Sequence, residues 1–241
     1  QPTGAAALQR WSEAVQRAAR VSHPNLAVVV DSGVQDGWPY VAYELEGRAT
    51  LTQRLTSKGL PGTEFAPLAL QALQGLAFAH EAGVAHHDLQ PYMLLLTDND
   101  QLALAGLEVA AESASASEGG SLQAQRSAAE RDVLAFGVLM HGALAGQPAL
   151  DEPDIGQVIS RLPPLGRDIV RLPWATAHPV ADALRAIVNR ATDRQERQRY
   201  RNARTLARAL EGWFSAEGAG EAGPLALLSR SEEHTSELQS H

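Results

Sequence analysis

The sequence predicts an α+β fold, and three observations lead there. An amphipathic helical pattern opens the chain and is followed by two short apolar runs separated by turn residues. A second pair of short apolar runs flanks the polar turn Thr97-Asp98-Asn99-Asp100. Every other periodic segment is helical, so helices dominate the second part, and strands and helices do not alternate as they would in a parallel α/β sheet.

Each element has a local cause. Over 5–21, Leu8, Trp11, Val15, Ala18 and Ala19 recur at helical spacing. Ser22-His23-Pro24-Asn25 ends that helix, because the residue before a proline is pushed out of the α region. Residues 26–31 and 40–44 read as strands, with turn chemistry at Ser32-Gly33 and Asp36-Gly37. Thr50 can cap a short helix running to about Ser57. The longest pattern, 62–83, carries Phe65, Leu68, Leu70, Leu73, Leu76, Phe78 and Ala79, with Gly83 to close it. Residues 92–96 and 101–105 form the small hairpin. Residues 111–121 are small, polar and without period, and predict a loop whose Ser113, Ser115, Ser117 and Ser121 are candidate phosphorylation sites, against the plainer reading of a solvated loop. Helices are expected at 130–144, which is apolar enough to be buried, and at about 153–161, 178–192 and 202–214.

Composition narrows the function. Hydrophobic residues make up 44% of 241, enough for a sizeable core, but aromatics are only 5%, so aliphatic side chains and alanine must fill it. A net charge of −8 argues against a nucleic-acid footprint. Without cysteine there is neither a disulfide framework nor a thiolate metal site. No run approaches the about 20 apolar residues of a membrane span, and no signal-peptide pattern is present. The expected location is the cytoplasm, either free or as the cytosolic part of a membrane-anchored protein, since Leu225-Ala226-Leu227-Leu228 opens a fresh apolar segment. Residues 1–213 are expected to form one domain that begins part-way through its fold, and 214–229 a Gly/Ala/Glu linker with the start of an unknown segment. Residues 230–241 resemble a translated sequencing adapter and are set aside from the fold, the alternative being an ordinary polar tail.

The chemistry concentrates in His86-His87-Asp88-Leu89-Gln90-Pro91-Tyr92-Met93 and in Ala105-Gly106-Leu107-Glu108. This frame resembles the catalytic and metal-binding loops of bacterial serine/threonine protein kinases. Four further segments resemble that family in order. Ser22-His23-Pro24-Asn25-Leu26 matches the link from helix C to strand 4, and Pro39-Tyr40-Val41-Ala42-Tyr43-Glu44 matches strand 5 and the hinge. Asp132-Val133-Leu134-Ala135-Phe136-Gly137 matches the start of helix F, and Arg199-Tyr200 lies in the closing segment. The resemblance implies a protein kinase-like fold, with a partial N-lobe of helix C and strands 4–5 over a mostly helical C-lobe. It places the Gly-rich loop and the catalytic lysine before Gln1. Nineteen of the twenty basic residues are arginine, which with the wealth of alanine and leucine suggests a GC-rich bacterial genome.

Residue by residue, the resemblance puts Asp88 at the catalytic-base position and His86 at the family's histidine. Tyr43, Glu44 and Leu45 fall at the nucleotide hinge and Leu95 beneath the adenine, although Tyr43 and Leu95 read first as core. Leu107 takes a packing position, and Asp132 and Arg199 are structural, Asp132 as a helix-start carboxylate accepting N–H groups of the catalytic loop. Departures are concentrated in the charged chemistry. His87 replaces arginine, Gln90 replaces lysine, Met93 replaces a metal-binding asparagine and Gly106 a metal-binding aspartate. A thioether is a poor ligand for hard Mg²⁺, and glycine offers no side chain. Glu108 would reach a metal only from a shifted register. No A-P-E sequence follows, and the helix-C glutamate position falls on Ala14, one residue from Glu13. A metal cluster of His80, His86, His87 and Asp88 fits no standard zinc spacing. The expectation is therefore a pseudokinase with a regulatory or partner-binding role toward a protein, with ATP as candidate cofactor and no ligand set for magnesium. The alternative is an active serine/threonine kinase that transfers the ATP γ-phosphate with atypical metal binding and uses Asp88 as base.

Overall fold

The computed structural model describes residues 4–44, 48–107, 122–162, 172–176, 178–193 and 195–221. The elements are α1 (Ala5–Ala18), β1 (Val29–Gln35), β2 (Trp38–Tyr43), β3 (Arg48–Thr50), α2 (Leu51–Arg54), α3 (Gly62–Glu81), β4 (Leu94–Thr97), β5 (Leu102–Leu104), α4 (Leu122–Ala145), α5 (Ile155–Arg161), α6 (Asp182–Ala191) and α7 (Ala203–Glu221). The α+β expectation holds: two small antiparallel sheets, β1-β2 and β3-β4-β5, accompany a mostly helical body.

The β1-β2 hairpin corrects one turn. Asp36 and Gly37 both take positive φ, 53° and 81°, the two-residue turn whose twist matches paired strands. That turn draws both strands up to itself, so Ser32-Gly33 lies inside β1 and makes no turn, and β2 begins at Trp38. Gly33 stands opposite Tyr40, and a Cβ there would come within 3.0–3.2 Å of the Tyr40 ring. Thr50 caps α2 with a full capping box closed by Gln53, but Leu55 turns extended and the helix stops short of Ser57. β3 has no period of its own and is a strand because it pairs with β4, Arg48 opposite Thr97 and Thr50 opposite Leu95.

The core sits between α3, α4 and α7. Phe65, Leu68, Leu73 and Leu76 of α3 meet Phe136, Met140 and Leu144 of α4 and Leu206 and Leu210 of α7, all essentially without exposure. Each such side chain contributes about 1.5–3 kcal/mol by leaving water. The link 22–28 ties the small hairpin to this body. The Asn25 carbonyl accepts from Leu104 N and the Leu104 carbonyl from Ala27 N, while Asn25 Nδ2 donates to the Leu102 carbonyl at 2.9 Å.

Two boundaries differ from expectation. α4 begins at Leu122, so Asp132 lies in the interior of a helix and not at its start. α7 runs to Glu221, past Trp213, and makes the first part of the expected linker helical; the alanines and glutamates there are good helix formers. The loop expected at 111–121, its four serines, and the 230–241 tail lie outside the described residues. Among the described residues, no helix is long and apolar enough to cross a membrane.

Candidate functional site

The loop between α3 and β4 is fastened from beneath by one carboxylate. Asp132, 1% exposed, accepts from the backbone N of His86 at 2.6 Å and of His87 at 2.8 Å, and from the His80 ring Nε2 at 2.8 Å. Burial alone would raise its pKa. The His80 ring bond and charge, with the His86 contacts, outweigh burial and hold the carboxyl below its ordinary value. His87 needs this hold, because its φ of +67° is a strained left-handed conformation for a residue with a Cβ.

His86 is fully buried and donates from Nε2 to the Ala105 carbonyl at 2.8 Å, which joins the loop after α3 to the segment after β5. Burial pushes its pKa down, so the ring is neutral; His141, buried on α4, is lowered for the same reason and bonds the Pro173 carbonyl. The unfolded rings take up protons near 6.5 while the folded ones resist, so the stabilisation is present above 6.5 and is lost as pH falls below it. The urea midpoint is expected to be lower at pH 5.5 than at pH 7.5, and equal midpoints would contradict neutral burial of these rings.

The two positions expected to ligate metal meet each other. Ala105 N donates to the Met93 carbonyl at 2.8 Å, and Gly106 N donates to the Tyr43 hydroxyl at 3.0 Å. Gly106 has φ +98°, and a Cβ built on it would lie 2.8 Å from Met93 Sδ and 3.1 Å from the His86 ring. The thioether therefore occupies the space a side chain at 106 would need. These residues do not fit a magnesium ion: one offers a buried sulfur and the other no side chain. Among the described residues, no group of three or more His, Asp or Glu side chains could hold a metal. Glu108 lies outside them.

Asp88 is exposed and accepts from Gln90 Nε2 at 2.8 Å. Gln90 is itself 2% exposed, and its Oε1 accepts from Ile155 N at 3.2 Å. Gln90 thus links the loop to the start of α5. Tyr43 is half-buried and reaches Gly106. Glu44 is exposed, with its N–H on the Val28 carbonyl. Leu95 is buried in the middle of the β3-β4-β5 sheet, and Leu107 and Arg199 are buried. Leu45 lies outside the described residues. Glu13 is exposed on α1 and accepts from Gln9.

Sequence reasoning missed three participants: His80 as the ring beneath Asp132, Tyr43 as the anchor of Gly106, and Asp154. The last accepts from Gln157 N at 2.8 Å as the cap of α5 and lies 3.5 Å from Gln90 Nε2. An Asp before an apolar helical run signals the cap, but no local signal joins it to Gln90.

No protein-family model matches the chain. It is 29% identical over 205 residues to the serine/threonine-protein kinase PknL of Mycobacterium tuberculosis, covering 73% of this chain and 51% of that protein. It is 23% identical over 230 residues to the serine/threonine-protein kinase PrkC of Bacillus subtilis, covering 89% and 35%. The chain thus spans about half or less of the length of these curated relatives. Among solved structures, the PknI kinase domain of Mycobacterium tuberculosis superposes with a TM-score of 0.60 at 21% identity, over 88% of this chain and 81% of that one. Fold and likeness together make this chain a bacterial protein kinase-like domain.

Proposed function

We propose that this domain is a pseudokinase, which keeps the framework of a serine/threonine protein kinase and acts by binding and regulating a protein partner. One observation carries the reading: the two positions where the family holds its metal are filled by each other, with Met93 Sδ 2.8 Å from where a Cβ on residue 106 would be. Phosphoryl transfer depends on metal to neutralise phosphate charge, and a site closed by sulfur has nothing to replace it with. The hydrogen bonds around Asp132 and the burial of His86 and Leu107 support a loop kept for packing. A second reading, an active serine/threonine kinase with atypical metal handling, is favoured by Asp88, which is exposed at the base position with its carboxylate accepting from Gln90.

The test uses the full-length protein that carries this domain. Thermal unfolding with ATP is expected to be the same with and without Mg²⁺. Radiolabelled phosphate transfer to casein is expected to match that of the Asp88→Asn variant. A magnesium-dependent rise in Tm together with transfer abolished by Asp88→Asn would establish the active reading instead.

A further inference from the structure

A cleft of about 970 Å³ opens where the end of α3, the first turns of α4 and the approach to α7 meet. It shares only His80 with the site described above. Leu122, Gln125, Arg126 and Ala129 stand on one face of α4, at spacings of three, four and seven. Farther along, that face continues into the core as Val133 and Phe136. Over its first two turns it fronts the cleft, and Leu122 is left 72% exposed.

Four arginines line the cleft from two parts of the chain: Arg126 on α4, and Arg197, Arg201 and Arg204 at the entry to α7. Arg204 is paired with Glu81 at 2.6 Å. Arg126, Arg197 and Arg201 are exposed and make no ion pair among the described residues, although Glu130 and Glu196 line the same space. The local sequence sets the sign of the field: residues 194–208 hold six arginines and one glutamate, in a chain of net charge −8. α7 begins at Ala203 and brings the positive end of a 19-residue helix to the same place. At the wall, the His80 side chain is 7% exposed, gives its Nε2 to Asp132 and has no hydrogen-bond partner for Nδ1. A guanidinium presents a planar fork of N–H donors that fits two oxygens of a phosphate at once. Several such forks around one space suit a dianion better than a single carboxylate. The volume is that of sites for small molecules, about 300–1,000 Å³.

We propose that this cleft is a binding site for a phosphoryl dianion, held between Arg126 of α4 and Arg197 and Arg201 before α7. The phosphoryl group is either free or carried on a serine of a peptide, and the two sources share the chemistry that the arginines recognise. Neither Met93 nor Gly106 lines the cleft, so its fate and that of the pseudokinase reading are decided by separate results.

The probes are inorganic phosphate and N-acetyl-O-phosphoserine amide, with succinate and N-acetylserine amide as comparisons, titrated calorimetrically into the full-length protein at pH 8. The tighter-binding phosphoryl probe is expected to exceed both comparisons by at least about tenfold. Tighter binding of the phosphoserine amide assigns the site to a peptide-borne group, and tighter binding of inorganic phosphate assigns it to a free one; either order supports the site. Arg126→Gln and Arg201→Gln, made separately, are each expected to weaken the phosphoryl probe about fivefold or more. Arg208→Gln removes the same charge from an exposed position of α7 outside the cleft and is expected to change nothing. All three side chains are exposed, so the unfolding midpoints of the variants are expected to match the wild type. Succinate binding as tightly as phosphate, a loss below about twofold in either cleft variant, an equal loss in Arg208→Gln, or no binding of either phosphoryl probe at millimolar concentration would each overturn the proposal.

Discussion

Replacing Asp132 by alanine is expected to destabilise the domain by about 3–5 kcal/mol, because a buried carboxylate that satisfies three donors leaves all three without an acceptor. The two backbone N–H groups, of His86 and His87, belong to a loop whose other fastenings, His86 Nε2 to the Ala105 carbonyl and Gln90 to Ile155, leave these two donors unsatisfied, and His87 is already in a strained conformation. The loss should therefore appear locally as well as globally. Amide exchange at 86–88 is expected to accelerate in the folded state even below the unfolding transition. Asp132→Asn is expected to fall between wild type and alanine, since its amide keeps one acceptor and turns an NH₂ toward a donor. The wild-type carboxyl is held below 3.8 in the fold, so its contribution is complete above that value and fades as pH falls beneath it. Urea unfolding of the three proteins at neutral pH measures the effect. A cost below about 1 kcal/mol for Asp132→Ala would mean the loop is held elsewhere.

The second large effect concerns the close approach of Met93 to Gly106. Gly106→Asp places a Cβ 2.8 Å from Met93 Sδ and imposes φ +98° on a residue with a side chain, so overpacking and backbone strain together are expected to cost about 2–5 kcal/mol. Met93→Asn alone removes buried apolar contact and should cost less. The double variant is expected to be more stable than the sum of the two losses by about 1 kcal/mol or more, because the smaller side chain at 93 returns the space that 106 requires. Denaturant midpoints with unchanged slopes measure the coupling. Additivity within about 0.5 kcal/mol would show that the two positions do not depend on each other.

Much of this molecule was readable from local pattern. The helical stretches at 5–21 and 62–83 carried their period and their stops in adjacent residues, and the order of helix, hairpin and helices gave α+β. The stretch His86 to Met93 stood out because its residues are contiguous. What escaped was set by partners far along the chain. β3 became a strand through β4, Asp132 came to lie inside a helix whose earlier turns have no strong apolar stripe, and Ser32-Gly33 lost its turn to a stronger one four residues later.

Sequence by itself determined that residues 93 and 106 are a methionine and a glycine, and the family resemblance supplied the expectation of oxygen ligands there. Only the tertiary structure decided that the two are in contact, that His86 and Tyr43 close around the same backbone, and that Gln90 answers to Asp154 and Ile155. The reason is physical: a contact between positions tens of residues apart is set by how α3, α4 and the small sheets pack, and no local propensity records it.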